Sequence, residues 1–269
     1  MESEERVPLM PMIFVGHGSP TNAIEENEFT RGWRKAALSI PRPTAILCIS
    51  AHWETVGTRV SAAEKPHTIH DFGGFAKELY EVSYPAKGSL ELVKNIRTIL
   101  TKTMVIPEPQ QGLDHGCWVP LMKMFPEADI PVVQLSLDIG SKPAKHYELA
   151  KRLEPLRRQG VLIIGSGNMV HNLRKINISS FDNINLPSGY DWAFEMNDLF
   201  KEKILSYDHE PLIHFENLGK SGRYAIPSPE HFLPLLYILA LQQEDEAIDF
   251  FNDVIVAGSL SMTSVLVGK

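Results

Sequence analysis

Three histidines follow, directly or closely, short apolar segments that are typical of buried β-strands. They are His17 in the motif GHGSP, His52 in SAHW and His171 in GSGNMVHN. In open α/β sheets, ligands bind beyond the carboxyl ends of the strands, and neutral imidazole is a common ligand of zinc, iron and copper. The joint occurrence of three histidines at three such ends therefore predicts one shared metal-binding site.

Two further histidines have neighbours that suit a functional site. His115 lies in LDHGCWVPL between an acidic residue and a glycine, and His231 lies in SPEHFLPLL at the start of a predicted helix. Glu230 could accept a hydrogen bond from the His231 ring, but a simple negative charge complementing the helix dipole is the favoured interpretation. We expect three other histidines to be solvated: His146, His209 and His214.

The motifs of several common enzyme classes are absent from the sequence. It contains no HExxH or CxxC metal motif, no GxSxG nucleophile elbow, and no Walker or GxGxxG phosphate-binding loop. Cys117 is expected to be a packed small hydrophobe rather than a nucleophile. A histidine-dominated site without a nucleophile motif favours a metal that holds the substrate or O₂.

The composition indicates a protein with a large core and disfavours several kinds of partner. Of the 269 residues, 43% are apolar, and the net charge of −7 argues against binding to nucleic acid. Two cysteines allow no disulfide framework, and residues 1–11 do not have the pattern of a signal peptide, so a cytoplasmic location is predicted. The longest apolar stretch, residues 232–241, is too short to span a membrane. A monomer and a small homo-oligomer fit equally well.

Short apolar segments alternate with helical patterns, which is typical of an α/β fold. Strands are predicted at residues 12–15, 45–50, 131–137, 161–165, 253–257 and 263–267. Helices are predicted at residues 30–39, 74–80, 89–101, 143–158, 190–205 and 230–242. The polar segment 179–188 is too short to be a domain linker. We therefore expect a single catalytic domain, residues 1–269, in which helices flank a central, mostly parallel or mixed sheet with the metal site at the carboxyl ends of its strands.

Eight blocks of the sequence, in order, resemble the 4,5-DOPA extradiol dioxygenase family. They are GHGSP (16–20), SAHW (50–53), HTIHDFGGF (67–75), DHGCWVPL (114–121), PEADIPVVQLS (126–136), GSGNMVHNLR (165–174), PEHFLPLLY (229–237) and GSLSM (258–262). This family belongs to the class III ring-cleaving dioxygenases and is related to the catalytic subunit of protocatechuate 4,5-dioxygenase. The resemblance extends from about residue 12 almost to the carboxyl terminus, and eight blocks together make it specific.

The resemblance implies one divalent metal per chain, held by His17, His52 and His231. His171 would be the catalytic base or a fourth ligand, and His115 an acid/base or hydrogen-bond donor facing the substrate and O₂. The ligands are then all imidazoles, unlike the more common set of two histidines and one carboxylate. Such a set suits Zn²⁺ as well as Fe²⁺, although Zn²⁺ has no redox chemistry and only Fe²⁺ would support the dioxygenase activity.

The implied reaction is extradiol cleavage of a catechol by O₂. The substrate would be L-DOPA, cleaved at the 4,5 bond, or a caffeate-like acid. His70, Phe72 and Trp118 are candidates for contacts with its ring. Asp71 is expected to cap the following helix; the alternative is a mobile loop that closes over the ring with Phe72 and Phe75.

Two other functions are compatible with the same histidines. In a zinc-dependent hydrolase, they would hold Zn²⁺ and activate a water molecule. In a non-catalytic member of the superfamily, the old cleft would bind a protein partner. The presence of both His115 and His171 beside the three expected ligands disfavours the second alternative.

Overall fold

The computed structural model of the protein describes residues 9–178 and 184–269. The strands of this part are β1 (Met12–Gly16), β2 (Ala45–Ser50), β3 (Glu54–Thr55), β4 (Thr58–Ser61), β5 (Val105–Glu108), β6 (Val132–Gln134), β7 (Leu137–Asp138), β8 (Val161–Gly167), β9 (Ile248–Phe251), β10 (Ile255–Val256), β11 (Leu260–Ser261) and β12 (Ser264–Val267). Six of them form a mixed sheet in the order β6-β2-β8-β1-β12-β9. The first four of these six are parallel, and β12 is antiparallel to both of its neighbours.

Helices cover both faces of this sheet. They are α1 (Glu28–Leu38), α2 (Lys77–Tyr80), α3 (Leu90–Ile99), α4 (His115–Met124), α5 (Pro143–Lys151), α6 (Glu154–Arg158), α7 (Asp191–Leu205), α8 (Glu210–Ile213), α9 (Gly219–Ala225) and α10 (Leu233–Leu239). None of the helices in the described ranges is long and apolar enough to cross a membrane. The α/β fold predicted from the sequence, with helices around a mostly parallel sheet, is confirmed.

Alternate residues of the central strands belong to two separate cores. Met12 and Phe14 of β1 pack in the core that includes residues of α5, α7 and α10. Ile13 and Val15 of the same strand pack in the core that includes residues of α1 and α4. Burial on both faces explains why this strand is a continuous apolar segment instead of an alternating one.

Several predicted elements are shorter or divided in the structure. The helix predicted at 143–158 is two helices, because Pro155 has no N–H to continue the hydrogen bonding of α5 and instead lies in the first turn of α6. The helix predicted at 230–242 begins only at Leu233, with Pro234 in its first turn. The strand predicted at 253–257 is reduced to β10, which lies outside the central sheet. The edge strand β9 of the central sheet was not predicted from the sequence.

The carboxyl ends of β1, β2 and β8 meet at one edge of the sheet. The pairing continues just beyond the strands, where His17 N donates to Gly167 O at 3.1 Å and Ala51 N donates to Ser166 O at 3.0 Å. A Cβ atom at Gly167 would lie 2.1 Å from the carbonyl oxygen of His231. Glycine at this position therefore allows the segment that carries His231 to lie directly against the end of β8.

Candidate active site

Five histidines converge on a cavity at this edge of the sheet. Ring centroids within the group lie 3.5 to 5.7 Å apart for the pairs in contact. The five are His17, His52, His115, His171 and His231. They come from five distant parts of the chain, and all five were singled out from the sequence as candidate metal-binding or catalytic residues.

The hydrogen bonds of His17 define which ring nitrogen is free. Its Nδ1 lies 3.1 Å from Ser166 Oγ, and that hydroxyl donates its own hydrogen to the carbonyl oxygen of Gly116 at 2.5 Å. Because a hydroxyl has only one hydrogen, Ser166 must accept from Nδ1–H of His17. The Nε2 atom of His17 therefore carries a lone pair directed at the cavity.

The Nε2 atom of His52 lies 3.2 Å from Nε2 of His17. His52 Nδ1 lies 3.4 Å from a carboxylate oxygen of Asp71, which favours a hydrogen on Nδ1 and leaves the lone pair on Nε2. Two lone pairs facing each other repel unless a cation lies between them. Metal–nitrogen bonds of 2.0–2.1 Å, at tetrahedral to octahedral angles, hold two ligand nitrogens about 2.8–3.4 Å apart, so the observed distance of 3.2 Å fits a shared metal.

His231 completes a group of three possible ligands. Its Nδ1 lies 3.1 Å from Oε1 of Glu230, so its Nε2 is also left without a hydrogen. The ligand atoms of His17, His52 and His231 lie within 4.8 Å of one another and could hold a metal ion. The favoured interpretation of Glu230 as a helix-terminal charge is wrong, because α10 has no acidic residue in its first turn and the carboxylate contacts the His231 ring.

The pKa values of these imidazoles are lowered, chiefly because burial disfavours the charged ring. Burial and the neighbouring histidines hold the pKa of His17 and of His231 well below the ordinary value of 6.5. Burial lowers the pKa of His52 to about 3 and that of His171 to about 4. At neutral pH these four rings are therefore uncharged, which is the form that binds a metal or accepts a proton.

His171 lies directly beside His231. Its ring stacks on the His231 ring with the centroids 3.5 Å apart and the planes 5° apart. Its backbone N–H donates to the carbonyl oxygen of Ala225 at 2.9 Å, and it forms an isolated antiparallel bridge with Leu260. Its ligand atom groups with those of Glu230 and His231 rather than with those of His17 and His52.

His115 is the first residue of α4, and the buried Asp114 fixes the start of that helix. Asp114 accepts hydrogen bonds from Cys117 N at 3.0 Å, Ser50 Oγ at 2.6 Å and Gln134 Nε2 at 2.6 Å. Burial raises the pKa of the Asp114 carboxyl, although the bonds from Ser50 and Gln134 oppose the shift. The helix is thereby joined to the ends of β2 and β6, and this sets the position of His115.

Asp71 does not have the capping role expected from the sequence. Helix α2 begins six residues later, at Lys77, and no side chain caps it. Asp71 instead accepts a hydrogen bond from His115 N at 2.9 Å, and its second carboxylate oxygen lies 3.0 Å from His115 Nδ1. Burial opposes the charge on Asp71, but the contacts with His115 prevail and the pKa of the carboxyl is lowered.

The three residues expected to contact the substrate ring are packed next to His115 and are not among the described residues that line the cavity. The Phe72 ring is 5.5 Å from the His115 ring, and the His70 ring is 5.7 Å from that of Trp118. His70 Nε2 lies 3.0 Å from Val82 O, and Trp118 donates to Ile69 O at 2.8 Å. Within the described ranges, none of the three lines the cavity.

The cavity has a volume of about 350 Å³, and apolar residues form part of its wall together with the histidines. Besides the five histidines, it is lined by Gly18, Ser19, Pro20, Phe75, Asn168, Leu173, Ile176, Ile184 and Leu260. Of these, Phe75 was considered from the sequence as part of a closing loop. Nothing in the sequence pattern distinguishes the other apolar residues from ordinary core residues, so their place in the wall could not be predicted.

Two of the histidines expected to be solvated are buried. His146 Nδ1 lies 3.0 Å from the Tyr237 hydroxyl, and His209 Nδ1 lies 2.8 Å from the Tyr147 hydroxyl. The prediction was wrong for both, because a tyrosine from another helix satisfies each ring. His214 is 48% exposed, as expected. Cys117 is buried in a core, as predicted.

The sequence of the chain matches a known protein family over nearly its whole length. Residues 7–267 match the family described as the catalytic LigB subunit of aromatic ring-opening dioxygenase. The chain belongs to this family. The LigB family is one of ring-cleaving dioxygenases, so the enzyme class expected from the resemblance is confirmed. The family is named for opening aromatic rings with O₂. The two alternatives, a zinc hydrolase and a non-catalytic protein, would not have this activity.

Individual relatives agree with the LigB assignment. A protein of Escherichia coli K12 named 4,5-DOPA dioxygenase extradiol is 43% identical over 263 residues, covering 96% of this chain and 95% of that protein. A protein of Beta vulgaris with the same name is 35% identical, covering 98% of both chains. The crystal structure of an uncharacterized protein from Escherichia coli K12 superposes with a TM-score of 0.83 at 38% identity, covering 96% of this chain and 100% of that one. The resemblance to the 4,5-DOPA extradiol dioxygenase family is confirmed.

Proposed function

We propose that this ring-cleaving dioxygenase holds one divalent metal per chain with His17, His52 and His231 and opens the ring of a catechol with O₂. The observation that carries the proposal is the 3.2 Å distance between Nε2 of His17 and Nε2 of His52, in two rings whose Nδ1 contacts favour a lone pair on each Nε2. When bound there, Fe²⁺ would supply coordination of the diol and activation of O₂, whereas Zn²⁺ would bind but has no redox chemistry.

His171 is the base in this proposal. It lines the cavity and is uncharged at neutral pH, because burial lowers its pKa to about 4. An uncharged imidazole next to the metal site can accept the proton that a catechol hydroxyl loses on binding. Its stacking on His231, away from the facing nitrogens of His17 and His52, supports this role over that of a fourth ligand.

His115 is the acid or hydrogen-bond donor on the other side of the cavity. Its Nδ1 faces Asp71, and its ring lies 3.9 Å from that of His52, centroid to centroid. With Asp71 at Nδ1, the ring is oriented with Nε2 toward the substrate side, where this nitrogen can exchange a proton with the substrate. His171 and His115 thus lie on opposite flanks of the three proposed ligands.

The substrate we propose is L-DOPA, cleaved at the 4,5 bond, or a caffeate-like acid. Relatives from two organisms are named for the first of these reactions, and a cavity of about 350 Å³ is large enough for one substituted catechol. The proposal further takes residues 1–269 as one catalytic domain of a cytoplasmic monomer or small homo-oligomer, with neither nucleic acid nor a membrane as partner.

Turnover of Fe²⁺-loaded protein and its variants tests the proposal. Metal-free protein is loaded with Fe²⁺ without air, mixed with L-DOPA, caffeate or protocatechuate in air, and followed by O₂ uptake and by the yellow ring-opened product. We expect His17→Ala and His171→Ala to abolish turnover, while the exposed His214→Ala retains it. Turnover that survives His17→Ala would refute the proposed metal site.

A further inference from the structure

We propose that Asp71 is a positioning residue whose carboxylate fixes the ring orientation of both His52 and His115, and so joins metal binding to proton transfer. The part that concerns His115 rests on the proposed function. The part that concerns His52 predicts a metal affinity and does not depend on any turnover. The two parts can therefore fail separately.

One carboxylate reaches three groups of the site. Oδ1 of Asp71 accepts the backbone N–H of His115 at 2.9 Å. Oδ2 lies 3.0 Å from Nδ1 of His115 and 3.4 Å from Nδ1 of His52. The contact with His115 Nδ1 is bent away from the line of a good hydrogen bond, so the attraction there is mainly electrostatic.

The carboxylate determines which nitrogen of each ring faces the cavity. A carboxylate only accepts hydrogen bonds, so both Nδ1 atoms beside it favour carrying a hydrogen. The lone pair of His52 is then on Nε2, the atom that faces Nε2 of His17 at 3.2 Å. Loss of such an outer hydrogen-bond partner of a ligand histidine typically weakens metal affinity 10- to 100-fold.

The backbone around Asp71 is held against the segment that leads into α4. Ile69 N donates to Leu113 O at 2.8 Å, and Leu113 N donates to His67 O at 2.8 Å. These bonds form a short parallel bridge two residues before His115, at Thr68 and Leu113. Asp71 is therefore anchored next to the residue it orients, and this argues for a fixed positioning group instead of a mobile closing loop.

The first test compares metal affinity in Asp71→Asn and in a matched control, Asp138→Asn. Asp138 also accepts two backbone N–H groups, from Gly57 at 2.9 Å and Gly140 at 3.1 Å, but it does not contact the five histidines. The Kd of Zn²⁺ is measured by competition with a chelator, and the Tm of the metal-free proteins is measured alongside.

We expect Asp71→Asn to raise the Kd of Zn²⁺ about 10- to 100-fold, because an amide NH₂ placed at Nδ1 favours the wrong tautomer. Its metal-free Tm is expected to match that of Asp138→Asn, whose Kd stays at the wild-type value. A Kd for Asp71→Asn within twofold of the control would overturn the tie to His52. If Asp71→Asn binds Zn²⁺ weakly and also has a lowered Tm, Asp71→Glu is measured as well. A Kd that returns to the wild-type value with the longer carboxylate supports the proposal, and a Kd that stays raised refutes it.

The second test asks whether Asp71 acts through His115. At saturating Fe²⁺, kcat is measured for Asp71→Asn, His115→Ala and the double variant. We expect Asp71→Asn to lower kcat with little change in KM, and to have no further effect on kcat once His115 is absent. Equal fold losses in both backgrounds would overturn the tie to His115. If the wild type itself turns over no catechol, the proposed function fails, while the zinc measurement still decides the tie to His52.

Discussion

The imidazole ring of His171 lies parallel to that of His231, with the centroids 3.5 Å apart and the planes 5° apart. Oε1 of Glu230 lies 3.1 Å from Nδ1 of His231. The stack places the uncharged ring of His171 against a proposed ligand, and in the proposed function this ring is a base and not a fourth ligand.

Substitution of His171 is expected to separate catalysis from metal binding. His171→Ala should lower kcat by roughly 10²–10⁴-fold, the usual contribution of a general base, and leave the Kd of Zn²⁺ within a few-fold of the wild type. His231→Ala is the comparison and should lose metal affinity. If both variants lose metal equally, His171 is a ligand, and the base must be sought elsewhere.

The stability of the metal-free protein is expected to fall in mild acid. The folded state holds the pKa of His52 at about 3 and that of His171 at about 4, whereas the unfolded chain protonates near 6.5. The unfolded state therefore takes up protons first, so full stability is present above pH 6.5 and is lost as the pH falls toward 4. Urea midpoints at pH 7.5 and pH 5 measure this loss, which should be smaller in His171→Gln. An identical loss in that variant would rule out a contribution from His171.

Asp114 is expected to be important for stability as well as for the site. Asp114→Ala removes the cap of α4 and leaves the buried partners at Ser50 and Gln134 unsatisfied. We expect a loss of about 2–4 kcal/mol in the free energy of unfolding, from one cap and the unpaired polar groups. Urea denaturation measures it, and Asp191→Ala, in the exposed first turn of α7, is the control. Similar losses of unfolding free energy in both variants would mean that the buried hydrogen bonds of Asp114 do not contribute to stability.

The substrate carboxylate is expected to contribute little to binding. Among the described lining residues of the cavity there is no lysine or arginine, and residues 179–183, which lie outside the described ranges, have the cation-free sequence SSFDN. Caffeate and its methyl ester should therefore show KM values within a few-fold of each other. A KM at least tenfold higher for the ester would indicate that a cation from outside the described lining binds the carboxylate.

Two of the three proposed ligands, His17 and His52, could be placed from the sequence because each follows a regular strand, whereas His231 was given as a ligand only by the family resemblance. His17 and His52 follow strands that are buried on both faces, so a continuous apolar segment marks where each strand ends. The parallel pairing of these strands with β8 then brings their ends together. Recognising this required only the strands and the rule for where ligands bind in such sheets.

Contacts between distant segments could not be predicted in the same way. Asp71 and His115 are 44 positions apart, and their contact depends on a bridge between two irregular segments. His146 and His209 have the polar neighbours of surface residues in sequence, yet a tyrosine from another helix buries each one. The residues next to a side chain in the sequence do not indicate which distant residues will contact it in the folded protein.

Iron-dependent ring cleavage at the three histidines is tested by dividing one preparation of metal-free protein into two portions, one loaded with Fe²⁺ and the other with Zn²⁺. Each is given the same catechol in air, and O₂ uptake is compared with catechol consumed. We expect the Fe²⁺ portion to take up one O₂ for each catechol opened, and the Zn²⁺ portion to bind its metal but to consume neither O₂ nor catechol. Equal consumption with both metals, or none with Fe²⁺ bound at the three histidines, would contradict it.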